Sequence, residues 1–570
     1  MNETRPELLP EILTRRAADE PGRTAYVFLD DNGAETTTLS YRELHERALA
    51  VAAELGSRCA PGDRAVLVFP QCPEFIIAYF GCLYAGVIAV PLNPPRRNRI
   101  QDATGSIMRD CDPAAVLTLD MFVAPLRAVL EPLCTASHWL ALDGITSAAV
   151  DFEPRRAETA EVAFLQYTSG STAAPKGVMV THGNLVANEE MIHRGFGHSR
   201  DSTVVGWAPF FHDQGLIGNV LQPLYAGATA ILMSPVAFIR RPLLWLSTIS
   251  RYRAHTSGGP NFAFEACVAR AAAGPLPELD LSSWRVAFNG AEPIRPQTLE
   301  RFAETFAPHG FDPAAWYPCY GLAEATLLVS GGTPGRGARL LEVDADALAA
   351  SRYVPADGPK SKTLVGCGQV LPGETVRIAD PATGETCPPD RVGEIWVSGG
   401  QVAQGYWRNP SATAQTFRAA GEYLRTGDLG LLVDGELYVI GRAKDIVIIR
   451  GRNYYPQDIE QTVQASHPAL RAGACAAFAI PAPAGEQLVV VQEIRRDAVA
   501  DPAEVLGAIR AAVVAEHELA PADVVLAAPD EVPRTSSGKI RRSAVRARYL
   551  AREVSPWMPL FGDLTEAQRS

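Results

Sequence analysis

With 570 residues, 47% of them apolar and 20% charged, the chain is too long for one core and too ordinary in composition for a fibrous or disordered protein, so a large domain and a smaller one are expected. A formal net charge of −12 excludes a general nucleic-acid binder and requires that anionic substrates be met by local positive groups or a metal. Ten cysteines without a CxxC pair, and an N-terminus that mixes charges from Glu3 to Glu20 around no apolar signal core, point to reduced thiols in a cytoplasmic protein rather than a disulfide framework or a zinc site.

From Leu39 to about Ile440, strand-like runs alternate with amphipathic helical ones, which implies βαβ units and mainly parallel sheets covered on both faces. Arg64 to Phe69 reads as a strand. The uncharged span Phe75 to Leu92 grazes the length of a membrane helix, but Gly81, Gly86, Pro91 and the strand-like VIAVPL make it a buried helix running into a buried strand. No integral membrane segment is expected. Val162 to Tyr167 is a further strand, and it runs into YTSGSTAAPKG, Tyr167 to Gly177. There Gly170 and Gly177 let successive N–H groups converge on an anion, Thr168, Ser169, Ser171 and Thr172 add hydroxyl donors, and Lys176 adds charge. This is a cradle for a polyphosphate, with a spacing different from the P-loop of NTPases.

The longest irregular stretch, about 331 to 362, is rich in Gly, Ala, Asp and Pro and reads as an insertion. Past the strand Glu436 to Ile440 a second unit begins. IVIIR is followed by a helix near Pro456, by strands GACAAFAIP and QLVVVQEIR, and by a helix with Asp501 as cap and Pro502 in its first turn. No GxSxG elbow, HExxH or GxGxxG motif is present.

YGLAEAT (Tyr320 to Thr326), YLRTGDLG (Tyr423 to Gly430), GRAKDIVIIRGRNYYPQDIE (Gly441 to Glu460) and PRTSSGKIRR (Pro533 to Arg542) follow the phosphate loop. In order and separation these motifs resemble the adenylate-forming superfamily of acyl-CoA synthetases, luciferase and peptide-synthetase adenylation domains. Within it, PPRRNR (Pro94 to Arg99), SGGPNFAFEACV (Ser257 to Val268) and FNGAEPIR (Phe288 to Arg295) look most like the fatty acyl-AMP ligases. The resemblance implies a large N-terminal α/β domain over 1–443 that binds ATP and the acyl group. It also implies a small mobile α+β domain over 444–570, swinging about a hinge at Lys444.

The same resemblance assigns roles position by position. Thr168 to Thr172 and Lys176 would hold phosphates, Glu324 would bind Mg²⁺, Tyr320 and Gly321 with the Gly290, Ala291 and Glu292 backbone would hold adenine, Asp428 would accept the ribose hydroxyls, and Arg442 would be a second ribose or phosphate contact. Lys539 would swing in to pair with the carboxylate and the α-phosphate. Acyl selection would fall to His212, Asp213, Gly215, Gly258 and Gly259; His212 as a core histidine is the plainer alternative.

The implied function is ATP-dependent activation of a fatty acid to acyl-AMP, then transfer to an acyl carrier protein in trans, since no phosphopantetheine serine motif lies near the end of the chain. Coenzyme A as acceptor is the alternative, and a nucleotide-binding scaffold without activity is a third. Arg541, Arg542, Arg546, Arg548 and Arg552 read either as a landing surface for an acidic carrier or as a solvated helix face.

Overall fold

The uncharged run after Cys72 folds as the helix Pro73–Ala85 and the strand Ile88–Pro91, the helix closed by Gly86 at φ 71°. Every helix residue but Glu74 is buried, as an apolar segment must be when it is covered on all sides. Among the described residues no helix is long and apolar enough to cross a membrane. The structure is a computed structural model and describes residues 5–94, 102–134, 136, 138–145, 152–168, 175–358, 360–419, 421–450, 452–482, 485–535 and 538–557.

Two sheets make up the larger part. A six-stranded sheet runs His138–Ala141, Ala115–Thr118, Arg64–Leu67, Ile88–Pro91, Val162–Thr168, Lys176–Thr181. All its ladders are parallel except the last, a hairpin. The other sheet has 14 strands. Its first half pairs in parallel from Thr24–Leu29 through Thr229–Leu232, Thr203–Gly206, Thr256–Gly259 and Val286–Asn289 to Trp316–Gly321. These are the expected βαβ units.

From Trp316–Gly321 onward the ladders are antiparallel, which departs from the mainly parallel reading. The cause is local. Leu424–Val433 and Glu436–Arg442 are joined only by Asp434 and Gly435, at φ 51° and 78°. A two-residue turn of that hand makes a hairpin and leaves no chain for a crossover.

The stretch 331–362 is not irregular throughout. Leu340–Asp344 pairs antiparallel with Ser361–Val370, and the short helix Ala345–Ala349 is capped by Asp344, whose Oδ1 accepts the Ala347 N–H at 2.7 Å. This excursion touches the chain beyond Arg442. Arg452 donates to Asp346 at 2.6 Å, Asn453 to the Ser351 hydroxyl at 3.0 Å, and Lys362 pairs with Asp458 at 2.5 Å.

The C-terminal part builds a three-stranded sheet from Leu470–Ala482, Gly485–Ile494 and Asp523–Ala527. Helices Pro456–Ala465 and Pro502–His517 pack on it through Ile459, Val505, Ile509 and Val513. Asp501 caps the second of them.

In the last helix, Arg542–Leu550, and its flanks, three of the five arginines read as a landing surface or a solvated face have partners within the protein. Arg542 pairs with Glu460 at 2.6 Å and Asp445 at 2.8 Å, Arg546 donates to the Ala479 carbonyl at 2.9 Å, and Arg548 donates to the Glu531 carbonyl at 2.7 Å and pairs with its carboxylate. Those three guanidinium groups are held by the protein itself.

Candidate active site

The segment expected to cradle phosphates is closed by a hairpin pairing. Thr168 ends one strand and Lys176 begins the next, and the two are cross-strand partners, so the loop between them is closed at its base. Ser169, Gly170, Ser171 and Thr172 lie outside the described residues, as does most of Pro94 to Arg99. The free edge of Lys176–Thr181 is laced to a later segment. Met179 N–H donates to the Gly405 carbonyl at 2.9 Å and Trp407 N–H to the Gly177 carbonyl at 2.7 Å.

That lacing delivers Tyr406. Its ring centroid lies 4.5 Å from the Lys176 ammonium, a cation–π contact, and its hydroxyl donates to Glu324 Oε1 at 2.8 Å. One ring therefore touches both the lysine and the carboxylate. Burial first, then the neighbouring Glu324, push the phenol well above its usual range, so it stays a hydrogen-bond donor at neutral pH. Sequence reasoning missed Tyr406, because a single aromatic in a Gly-flanked loop has no distinguishing pattern.

A second cluster adjoins the first. Asp428 is buried; its Oδ2 accepts the Tyr320 hydroxyl at 2.8 Å and its Oδ1 accepts Arg442 Nε at 2.9 Å. A carboxylate offers about four lone-pair sites, so acceptor capacity is left for a ligand. Asp428 chiefly raises the Arg442 guanidinium further above its usual range, and Glu324 adds to it. The RTGD turn is itself shaped by buried Glu394, which accepts from Gly427 N–H at 3.1 Å and pairs with Arg425 at 2.7 Å.

Glu324 sits on a one-turn helix, Ala323–Ala325, that ends in Thr326 at φ 65°. A β-branched residue there carries strain of roughly 1–3 kcal/mol, a cost found mainly at functional sites. A Cβ on Gly321 would overlap the Leu327 carbonyl, so the turn preceding Glu324 closes only with glycine. Among the described residues no cluster of three or more His, Cys, Asp or Glu could hold a metal by itself. A lone hard carboxylate suits Mg²⁺, which keeps waters and takes further ligands from phosphate oxygens.

Gly290, Ala291 and Glu292 follow the strand Val286–Asn289, with Ala291 at φ 69°. Buried Asn261 organises this loop, donating to Glu292 Oε1 at 3.1 Å and to the Pro293 carbonyl at 2.8 Å while accepting Arg295 N–H at 3.1 Å. It stands inside a motif already singled out, yet only the fold reveals its role.

On the acyl side, His212 and Asp213 precede a π-helix, Gln214–Leu221, a rare form that marks functional sites. His212 N–H donates to the Pro209 carbonyl at 3.0 Å, and its ring centroid lies 4.7 Å from that of Phe211. Gly215 packs so closely on the Pro209 carbonyl that a Cβ would overlap it. Gly258 and Gly259 end the strand Thr256–Gly259, where side chains would strike Phe288 and Trp207. Trp207 in turn stacks on Phe238 at 4.1 Å. Small residues here leave the aromatic faces uncovered by Cβ atoms.

Two expected residues stand apart. Lys539 is exposed on a turn in which its carbonyl accepts the Thr535 N–H at 2.8 Å and its own N–H donates to the Thr535 hydroxyl at 3.1 Å. Among the described residues no hydrogen bond or ion pair joins it to Glu324 or Asp428. Lys444 is exposed in the turn that follows Glu436–Arg442.

The AMP-binding enzyme family matches residues 13–407, and the AMP domain of the Disco-interacting protein 2-like family matches 444–556. The medium-chain-fatty-acid–[acyl-carrier-protein] ligase JamA of Moorena producens is 45% identical over 96% of each chain. The 4-hydroxyphenylalkanoate adenylyltransferase of Mycobacterium tuberculosis is 39% identical over 96% of this chain and 92% of its own. A solved fatty acyl-adenylate ligase from L. pneumophila, in complex with acyl adenylate and pyrophosphate, superposes with a TM-score of 0.75 at 40% identity over 96% of each chain. The chain belongs to the AMP-binding, adenylate-forming enzymes, in their fatty acyl-AMP ligase branch.

Proposed function

We propose that the protein condenses a fatty or related carboxylic acid with ATP to acyl-AMP and pyrophosphate, then passes the acyl group to the phosphopantetheine thiol of a carrier protein. In the first step a carboxylate oxygen bonds to the α-phosphorus as the bond to pyrophosphate breaks, so the protein must align like charges and neutralise them rather than supply a nucleophile. Lys176 and Thr168 take the phosphates, Asp428 the ribose hydroxyls, and the Gly290 to Glu292 backbone with Tyr320 the base. Glu324 would hold Mg²⁺, which when bound neutralises charge on the phosphate oxygens. Lys539 approaches the reacting atoms by movement of the part beyond Lys444.

The observation that carries this reading is the pair of contact chains Lys176–Tyr406–Glu324 and Arg442–Asp428–Tyr320. Exchange of labelled pyrophosphate into ATP tests it. Exchange should require both a carboxylic acid and a divalent cation. Its absence with medium-chain, long-chain and arylalkanoic acids alike would refute the reading.

The 45% identity to a medium-chain-fatty-acid–[acyl-carrier-protein] ligase supports a carrier protein over coenzyme A as acceptor.

A further inference from the structure

Helix His182–Phe196 begins directly where strand Lys176–Thr181 ends, with Thr181 and Asn184 capping each other at 3.0 Å. Two of its asparagines do more. Asn184 and Asn188 are four residues apart and so share a face of the helix. Asn184 Nδ2 donates to the Gly400 carbonyl at 2.8 Å and the Val402 carbonyl at 2.9 Å. Asn188, wholly buried, donates to the Leu328 carbonyl at 2.8 Å and accepts the Leu328 N–H at 3.1 Å, a two-point clasp on the backbone.

The two pinned segments hold the Glu324 turn between them. Thr326 Oγ1 donates to the Gln401 carbonyl at 2.6 Å, and Ala403 N–H donates to the Glu324 carbonyl at 3.0 Å. Leu328 lies two residues past the strained Thr326 and Gln401 lies between the two carbonyls that Asn184 grips. The turn is thus fixed on both sides by one rigid element, and that element is continuous with the strand that starts at Lys176. A helix with fixed rise per residue sets a fixed distance between whatever is fastened to its ends and its face.

We propose that Asn184 and Asn188 are positioning residues that set the Glu324 carboxylate at a constant distance from Lys176, so that the metal and phosphate ligands form one preorganised site. The inference rests on the roles given above to Glu324 and Lys176. Neither asparagine touches substrate. Their contribution is the orientation of a ligand, and loss of such outer partners typically weakens metal affinity or activity about 10–100-fold.

The test measures the Mg²⁺ concentration for half-maximal pyrophosphate exchange, the KM for the fatty acid, and AMP affinity in EDTA. Asn188→Ala and Asn184→Asp are compared with the unaltered protein. Asn184→Asp keeps the acceptor that caps the helix and sets an acceptor-only carboxylate oxygen against the Gly400 and Val402 carbonyls, so it releases that grip and carries the test even if Asn188→Ala fails to fold. Half-saturation by Mg²⁺ should rise about tenfold or more in each folded variant, with fatty-acid KM and metal-free AMP affinity nearly unchanged. A purely structural role would lower the thermal midpoint without that selective shift. An unchanged Mg²⁺ requirement in Asn184→Asp would overturn the proposal. Glu324→Gln separates the two failures. No shift there removes the metal-ligand reading and the clamp with it, whereas a shift there with none in the asparagine variants removes the clamp alone.

Discussion

Lys539→Ala is expected to slow acyl-adenylate formation about a hundredfold or more, because it deletes a charge aligned with the developing negative charge of the transition state. The fold should be unaffected. The side chain is exposed and its turn is closed by bonds between its backbone and Thr535, so truncation removes no buried contact and stability should change by less than about 0.5 kcal/mol. Transfer of the acyl group from preformed acyl-AMP should suffer much less. Single-turnover assays of the two half-reactions distinguish the outcomes, and equal losses in both would mean that Lys539 serves transfer as well as activation.

Asp428→Ala is expected to act on nucleotide binding. On the proposed role the carboxylate accepts from two ribose hydroxyls, and hydrogen bonds to a charged group are worth about 1.5–3 kcal/mol each, so the KM for ATP should rise at least tenfold, as a rough figure. The substitution also strips the buried Tyr320 hydroxyl and Arg442 of their partner. Asp428→Asn, which retains an acceptor and the shape, should fall between alanine and the native residue. The KM for the acid should move little, since no bond to the acyl chain is lost. Unchanged ATP affinity in the alanine variant would remove Asp428 from the ribose site.

The candidate residues that the fold gathers, Lys176 and Glu324 about one tyrosine and Tyr320 and Arg442 about Asp428, are legible in the sequence as unusual residue combinations. A strand running into Gly, Ser, Thr and Lys has few uses besides an anion, and Tyr320, Glu324 and Asp428 announce themselves through short motifs in a fixed order. The residues that escaped are those whose meaning depends on contacts distant in the chain. Tyr406 joins Lys176 to Glu324 across 230 and 82 residues of chain, and nothing nearby signals it. Asn188 reads as one polar residue on a helix until Leu328 lies against it.

Three further differences come from partners, turns and packing that the pattern within one element does not encode. The arginines of Arg542–Leu550 look like a basic face because their acids, Glu460, Asp445 and Glu531, belong to other elements. Strand direction past Trp316 is set by turns such as Asp434–Gly435, which periodicity within a strand does not encode. The π-helix over Gln214–Leu221 is likewise a product of packing, with Gly215 pressed on the Pro209 carbonyl.

Activation followed by delivery to a carrier protein is distinguished from acyl-CoA synthesis by comparing acceptors under one set of conditions. The enzyme is given ATP, Mg²⁺ and a medium-chain fatty acid, with either a holo acyl carrier protein or coenzyme A, and products are read by mass spectrometry of the intact carrier and of acyl-CoA. Acyl-carrier should accumulate while acyl-CoA stays at trace level and acyl-AMP forms in both reactions. Acyl-CoA made as fast as acyl-carrier, or faster, would contradict the account and make the protein an acyl-CoA synthetase.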